Sequence, residues 1–163
     1  MKKIIIFGNS GAGKSTLAKK LQQKFNLKHL DLDTLAWSES SIPTRKPLAE
    51  STKDIGTFLS ETSNWVIEGC YADLLEYVSK HASELIFLNP GTEVCIEHCR
   101  NRPWEPHKYS SKEEQDNNLE MLINWLKDYE SREDEFSLKS HMELFESFYG
   151  NKTMIQDGAD EIF

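Results

Sequence analysis

An α/β fold built on a parallel sheet is predicted by three features of this 163-residue chain. Short aliphatic runs alternate with amphipathic helical stretches, the first run stops at a glycine-rich loop, and a helical pattern follows that loop at once. Parallel strands need crossover connections, so the alternation places helices on both faces of the sheet. The length fits a single domain over residues 1–163, close to the common domain size of roughly 100 to 150 residues.

The first element is KKIIIF, residues 2–7, a β-branched and aromatic run ending at Gly8, as expected of a buried parallel strand that stops at a turn. From Lys14 to Phe25, Leu17, Ala18, Leu21 and Phe25 recur at helical spacing with lysines between them, which predicts an amphipathic helix. Further strands are expected over 27–32, 65–68, 84–88 and 152–156, with helices over 48–62, 71–81 and 92–102. Pro43 and Pro47 mark 37–47 as a loop, and Pro103 and Pro106 mark 103–109 as another. Between Ser111 and Gly150 two more helices fit. One presents Leu119, Leu122, Ile123, Leu126 and Tyr129, and the other Leu138, Met142, Phe145, Phe148 and Tyr149.

Composition narrows the classes. At 38% hydrophobic and 28% charged residues the chain reads as globular, which excludes collagenous, low-complexity and largely disordered proteins. No apolar run approaches the roughly 18 residues needed to cross a bilayer, so no membrane association and a cytoplasmic location are expected. Three cysteines without a CxxC pair indicate reduced thiols. Cys95, His98 and Cys99 share one helical face but lack a fourth ligand, and buried packing is the simpler reading. The net charge of −8 is uneven: residues 1–30 hold seven lysines and no acid, whereas residues 111–135 hold nine acids against Lys112, Lys127 and Arg132. Anions should therefore meet the N-terminal part, and nucleic acid is not an expected partner.

The segment Gly8-Asn9-Ser10-Gly11-Ala12-Gly13-Lys14-Ser15-Thr16 fits GxxxxGK[ST], and it lies between a predicted strand and a predicted helix. Backbone N–H groups of such a loop curl around phosphate oxygens, while the following helix aims its positive N-terminal dipole at them. Lys14 would reach the β and γ phosphates as a mobile charge, and Ser15 would offer its hydroxyl to Mg²⁺. ATP and Mg²⁺ are the expected cofactors.

Together with HLDLDTLAW at 29–37, NWVIEGCY at 64–71 and LIFLNP at 85–90, the opening KKIIIFGNSGAGKSTLAKKL resembles small P-loop kinases of the nucleoside-monophosphate and shikimate kinase type, among them the adenylate-kinase-related DNA topology modulation proteins. The resemblance implies a P-loop NTPase fold with a five-stranded parallel sheet of order 2-3-1-4-5. It further implies ATP as phosphoryl donor, an acceptor-binding insertion over about 37–62, and a lid-like segment over about 100–135 that carries arginines.

Several residues are candidates for that chemistry. Asp31 and Asp33 flank Leu32 at the end of an apolar strand beside the phosphate loop, where ligands bind in open α/β sheets. Their carboxylates could hold Mg²⁺ waters or take a proton from an acceptor hydroxyl, and could alternatively serve as a helix cap or turn. By resemblance to shikimate kinases, Asp31 takes the metal side and Asp33 the acceptor side. Glu68 and Gly69 resemble the strand-ending acid and glycine of adenylate kinases, which gives Glu68 a metal role and Gly69 a place at the substrate, unless Glu68 is an edge carboxylate facing water. Arg100 and Arg102 precede the Pro103 loop and could meet charge developing on a transferred phosphoryl group, or simply answer a helix dipole. Arg45 could clamp an anionic acceptor or sit solvated in its loop, and Trp37 could stack on a base or pack.

The expected function is thus an ATP- and Mg²⁺-dependent phosphotransferase acting on a small acceptor, either a nucleoside monophosphate or a hydroxyl compound, in a monomer or homodimer. The alternative is a nucleotide-dependent regulatory ATPase acting on DNA or a protein partner.

Overall fold

The computed structural model describes residues 1–39 and 42–157, so Ser40 and Ser41 of the predicted 37–47 loop lie outside the described residues. Five strands, β1 (Lys3–Gly8), β2 (Lys28–Asp31), β3 (Trp65–Gly69), β4 (Glu84–Leu88) and β5 (Asn151–Ile155), form one sheet of order β2-β3-β1-β4-β5. Every pairing is parallel. The helices are α1 (Lys14–Phe25), α2 (Asp33–Ala36), α3 (Leu48–Glu61), α4 (Ala72–Ser79), α5 (Thr92–Arg100), α6 (Lys112–Leu126) and α7 (Leu138–Ser147).

The period-2 alternation of β1 divides the core in two. Ile5 and Phe7 face a cluster that includes Leu35, Ile55, Leu74, Leu75 and Leu144, whereas Ile4 and Ile6 face Leu17, Ala18, Leu21, Cys95, Cys99 and Leu126. One layer therefore comes from α2, α3, α4 and α7, and the other from α1, α5 and α6. Phe7 stacks on Phe87 of the neighbouring strand with ring centroids 4.6 Å apart, which helps hold the register at the centre of the sheet.

Local chemistry explains where the elements stop. Asn26 closes α1 in the left-handed conformation, with φ 54°, and asparagine tolerates that conformation better than most residues. Ser111 caps α6 by accepting from the Glu114 N–H, and Ser137 caps α7 by accepting from the Ser140 N–H. Several boundaries shift by one or two residues from expectation, and two of the shifts have a plain local reason. The helix predicted to reach residue 102 ends at Arg100, because Arg102 precedes Pro103 and the ring of a following proline disfavours helical backbone. The strand predicted over 27–32 closes at Asp31, and the chain turns directly into the four-residue α2, too short to leave a periodic signature.

Candidate functional site

The carboxyl ends of β1, β2 and β3 converge on one edge of the sheet, where Asp31 pairs in register with Glu68. The loop from Gly8 to Gly13 leaves β1 at this edge. Gly11 and Gly13 hold φ at +79° and +98°, angles that tighten the loop into a cradle and that side chains resist. A Cβ on Gly11 would lie 2.4 Å from the Cys95 carbonyl oxygen, so α5 presses directly on the loop. His98 of α5 adds a second support, its Nδ1–H donating to the Gly11 carbonyl at 2.7 Å. Asn9, only 4% exposed, fastens the loop on its other side by donating to the Leu126 carbonyl, and its Oδ1 accepts from the Ser10 N–H.

The N-terminus of α1 opens into this cradle. Its N-cap is Gly13, no side chain caps it, and its first turn contains no acid, so its leading N–H groups are available to an anion. Lys14 folds over the loop, with Nζ donating to the Asn9 carbonyl at 2.7 Å. Ser15 donates its hydroxyl to Glu68 Oε1 at 2.8 Å, and the other Glu68 oxygen accepts from His29 Nε2 at 2.7 Å. Glu68 is 2% exposed, so these two bonds satisfy a carboxylate that would otherwise be costly to bury.

Beside the cradle, β2 and α2 present Asp31 and Asp33. Asp31 Oδ1 accepts from the Asp33 N–H at 2.9 Å, which sets the turn and places Asp33 in the first turn of α2. Tyr71 donates its hydroxyl to Asp33 Oδ1, and Trp37 Nε1 donates to the Tyr71 hydroxyl at 2.8 Å. The segment between α5 and α6 supplies Lys108, whose ammonium lies 2.8 Å from Asp33, 3.8 Å from Asp31 and 3.5 Å from Glu105. Gln115 of α6 staples this segment, accepting from the Glu105 N–H and donating to the Pro103 carbonyl.

Charge and burial set the proton affinities here. Burial, reinforced by the neighbouring Asp33 and Glu68 carboxylates, holds Asp31 above the usual carboxylate range. Burial pushes Asp33 the same way, but the Lys108 ammonium and its hydrogen bond overcome it and hold Asp33 below that range. Burial alone would lower Lys108, yet Asp33 and Asp31 together hold it above the ordinary lysine value. Burial also raises Tyr71, which keeps its hydroxyl protonated as a donor to Asp33.

The candidate residues therefore divide spatially. Lys14, Ser15, Asp31, Asp33 and Glu68 come together around the loop mouth, and Trp37 joins them through Tyr71. Gly69 ends β3 against the Leu32 side chain. Arg102 lies 3.2 Å from Glu105, at the side of the same segment as Lys108. Arg100, half exposed, points instead to Glu120 of α6 at 2.9 Å. Arg45 bonds both oxygens of Asp73 and one of Glu135, and its guanidinium stacks over the Tyr71 ring at 4.8 Å. Lys108, His29, His98 and Tyr71 are contributors that sequence reasoning missed, because their partners lie 38 to 87 residues away in the chain or, for Lys108, across the fold.

A family model described as the AAA domain matches residues 4–122. The chain belongs to the AAA domain family. Among curated proteins, this AAA domain protein is 28% identical over 109 residues to the uncharacterized protein YqaC of Bacillus subtilis (strain 168), a match covering 64% of this chain and 58% of that protein. The chain thus spans less than two thirds of the length of the curated relative it matches. Solved structures sharing the fold of this AAA domain protein include a gluconokinase from Sinorhizobium meliloti 1021, with TM-score 0.53 and 17% identity over 99% of this chain and 86% of that one. A shikimate kinase from Acinetobacter baumannii in complex with shikimate shares it as well, with TM-score 0.53 and 17% identity over 98% and 87% of the two chains. These P-loop kinases establish the architecture that the sequence motifs resemble.

Proposed function

We propose that this protein is an ATP- and Mg²⁺-dependent phosphotransferase that moves the γ-phosphoryl group to a small hydroxyl-bearing acceptor. The observation that carries the reading is the uncapped N-terminus of α1, set in a glycine cradle with Lys14, whose charge is felt at Asp33. The kinase folds above support it.

The residues present fit magnesium. Ser15 and Glu68 place a hydroxyl and a carboxylate 2.8 Å apart at the mouth of the cradle, hard oxygen donors of the kind that hold Mg²⁺ alongside substrate phosphates and waters. Among the described residues no group of three metal-ligating side chains occurs, and a nucleotide-borne ion does not require one. When bound, Mg²⁺ neutralises charge on the phosphate oxygens.

In the proposed reaction the loop N–H groups and Lys14 hold the polyphosphate. Asp33 accepts the proton of the acceptor hydroxyl as a new acceptor oxygen–phosphorus bond forms and the bond from the γ phosphorus to the bridging oxygen breaks, leaving ADP. Tyr71 orients Asp33, with Trp37 behind it. Lys108 and Arg102, on the lid-like segment after α5, meet the charge on the equatorial oxygens. Asp31, in register with Glu68 and bonded to the Asp33 N–H, would serve the metal side.

Transfer from labelled ATP to a panel of nucleosides, nucleoside monophosphates, polyols and sugar acids tests this. A Lys14→Ala variant should lose nearly all transfer. No Lys14-dependent transfer to any acceptor class overturns the reading.

A further inference from the structure

The acceptor side of the site carries its own statement about what it takes, and this inference rests on the phosphotransferase reading. We infer that the acceptor is an uncharged hydroxyl compound, a nucleoside or a polyol, and that molecules bearing a phosphate or a carboxylate are rejected.

The mouth beside the cradle is lined by three carboxylates, Asp31, Asp33 and Glu105, whose side chains are 13%, 35% and 16% exposed. One ammonium, Lys108, is shared among all three and the Arg102 guanidinium meets Glu105, so three carboxylates face two cations. His107 stands 3.9 Å from Asp31 and 3.7 Å from Glu105 at the half-exposed rim. An anionic acceptor would enter against that field.

The cations that such an acceptor would call on are already engaged. Arg45 is gripped by Asp73 and Glu135 and sandwiched over Tyr71 and Phe136. Arg102 lies against Glu105, Arg100 against Glu120, and Lys108 against Asp33. Lys14 and the α1 N-terminus face the nucleotide. Recruiting Arg45 to a phosphate or carboxylate would strand the Asp73 and Glu135 carboxylates without their shared partner, a loss a single new ion pair does not recover. A hydroxyl group makes no such demand. It can donate to Asp31 or Asp33 and accept from Lys108 while those pairs persist, and Trp37, 38% exposed, offers an aromatic surface nearby for a base or a sugar face.

Matched acceptor pairs test this with ATP and Mg²⁺: adenosine against its 5′-monophosphate, glucose against gluconate, and glucose against glucose 6-phosphate. The uncharged member should be favoured in kcat/KM by about 100-fold or more, as expected where an ion pair with a partly buried carboxylate would have to be broken. Asp31→Asn keeps the oxygen that accepts the Asp33 N–H and removes one charge, and it should narrow the ratio about tenfold. Preference for the anionic members, or a ratio that Asp31→Asn leaves unchanged, overturns the acceptor class and leaves the phosphotransferase reading standing. No transfer to any member, with Lys14-dependent ATP binding intact by calorimetry, overturns the phosphotransferase reading itself and this inference with it.

Discussion

Replacing Gly11 by alanine separates the packing of the phosphate loop from its chemistry. At φ +79° the substitution carries the left-handed cost of about 1 to 2 kcal/mol that any residue with a Cβ meets. The new methyl would also sit 2.4 Å from the Cys95 carbonyl oxygen and 2.8 Å from Cys99 Sγ. Restoring ordinary contact means moving α5 or the loop by about 1 Å, and overpacking of that kind adds about 1 to 3 kcal/mol. Gly13 is the internal control. Its φ of +98° carries the same backbone cost, but a Cβ there would meet nothing within 4 Å. In the nucleotide-free protein Gly11→Ala should therefore cost about 2 to 5 kcal/mol and Gly13→Ala only about 1 to 2 kcal/mol. For a domain of this size these correspond to melting shifts of roughly 5 to 15 °C and roughly 2 to 6 °C, read by circular dichroism. Both variants should weaken ATP binding in calorimetry, since both alter the cradle. Equal melting shifts would refute the argument that α5 braces the loop at Gly11.

Three further outcomes follow from the site and the core. His141, fully buried between the Tyr129 hydroxyl and the Cys70 carbonyl, has its imidazole pushed by burial from 6.5 down to about 4. Above pH about 6.5 it is neutral folded and unfolded; below that only the unfolded chain gains the proton, so roughly 3 kcal/mol of stability should drain away between pH about 6.5 and about 4. Urea titrations across that window should show this slope in the native protein and lose it in His141→Gln; parallel slopes would count against the buried neutral imidazole. Arg102→Ala should lower kcat by about 10- to 1000-fold while changing ATP affinity far less, because its proposed contact forms in the transition state. Lys108→Met removes the ammonium that holds Asp33 low, so the acid limb of the kcat/KM profile should move to higher pH; a stationary limb would separate Asp33 from the proton transfer.

Local signals made the cradle legible. A strand run, three glycines, a lysine and a helical repeat lie within 25 residues, and each constrains its own stretch of backbone whatever the rest of the fold does. The five strands were legible for the same reason, as short apolar runs between turn signals, and their order came from a family resemblance rather than from pattern. What pattern could not reach were contacts made by the fold. Lys108 sits in a proline-bounded loop and acquires meaning only when that loop meets Asp31 at the end of β2 and Asp33 at the start of α2. His98 looked like one third of an incomplete metal site, yet its work is to hold the Gly11 carbonyl from a helix 87 residues on. Arg45 shows the reverse: its loop setting suggested a clamp for an anion, and only tertiary structure reveals Asp73 and Glu135 around it.

The Lys108–Asp33 pair poses a problem whose solution links the segment between α5 and α6 to the proposed chemistry. A carboxylate held below its usual range is a poor proton acceptor, so Asp33 as it stands is badly tuned for the role proposed for it. Burial already pushes Asp33 the other way, and the ammonium 2.8 Å distant is the largest of the influences that outweigh it, ahead of the Tyr71 hydrogen bond and the Lys14 charge. If Lys108 shifts from Asp33 toward a phosphoryl group on the cradle side, two changes arrive together: charge on the phosphoryl oxygens is neutralised, and Asp33, released to the influence of burial, gains proton affinity. Both favour transfer, and both reverse when Lys108 returns. Gln115 ties the segment at Pro103 and Glu105 but makes no bond to Lys108 itself, so the side chain can exchange partners while the backbone that carries it stays anchored. In the proposed mechanism, the Lys108–Asp33 pairing thus keeps the base idle until the phosphoryl group is in reach.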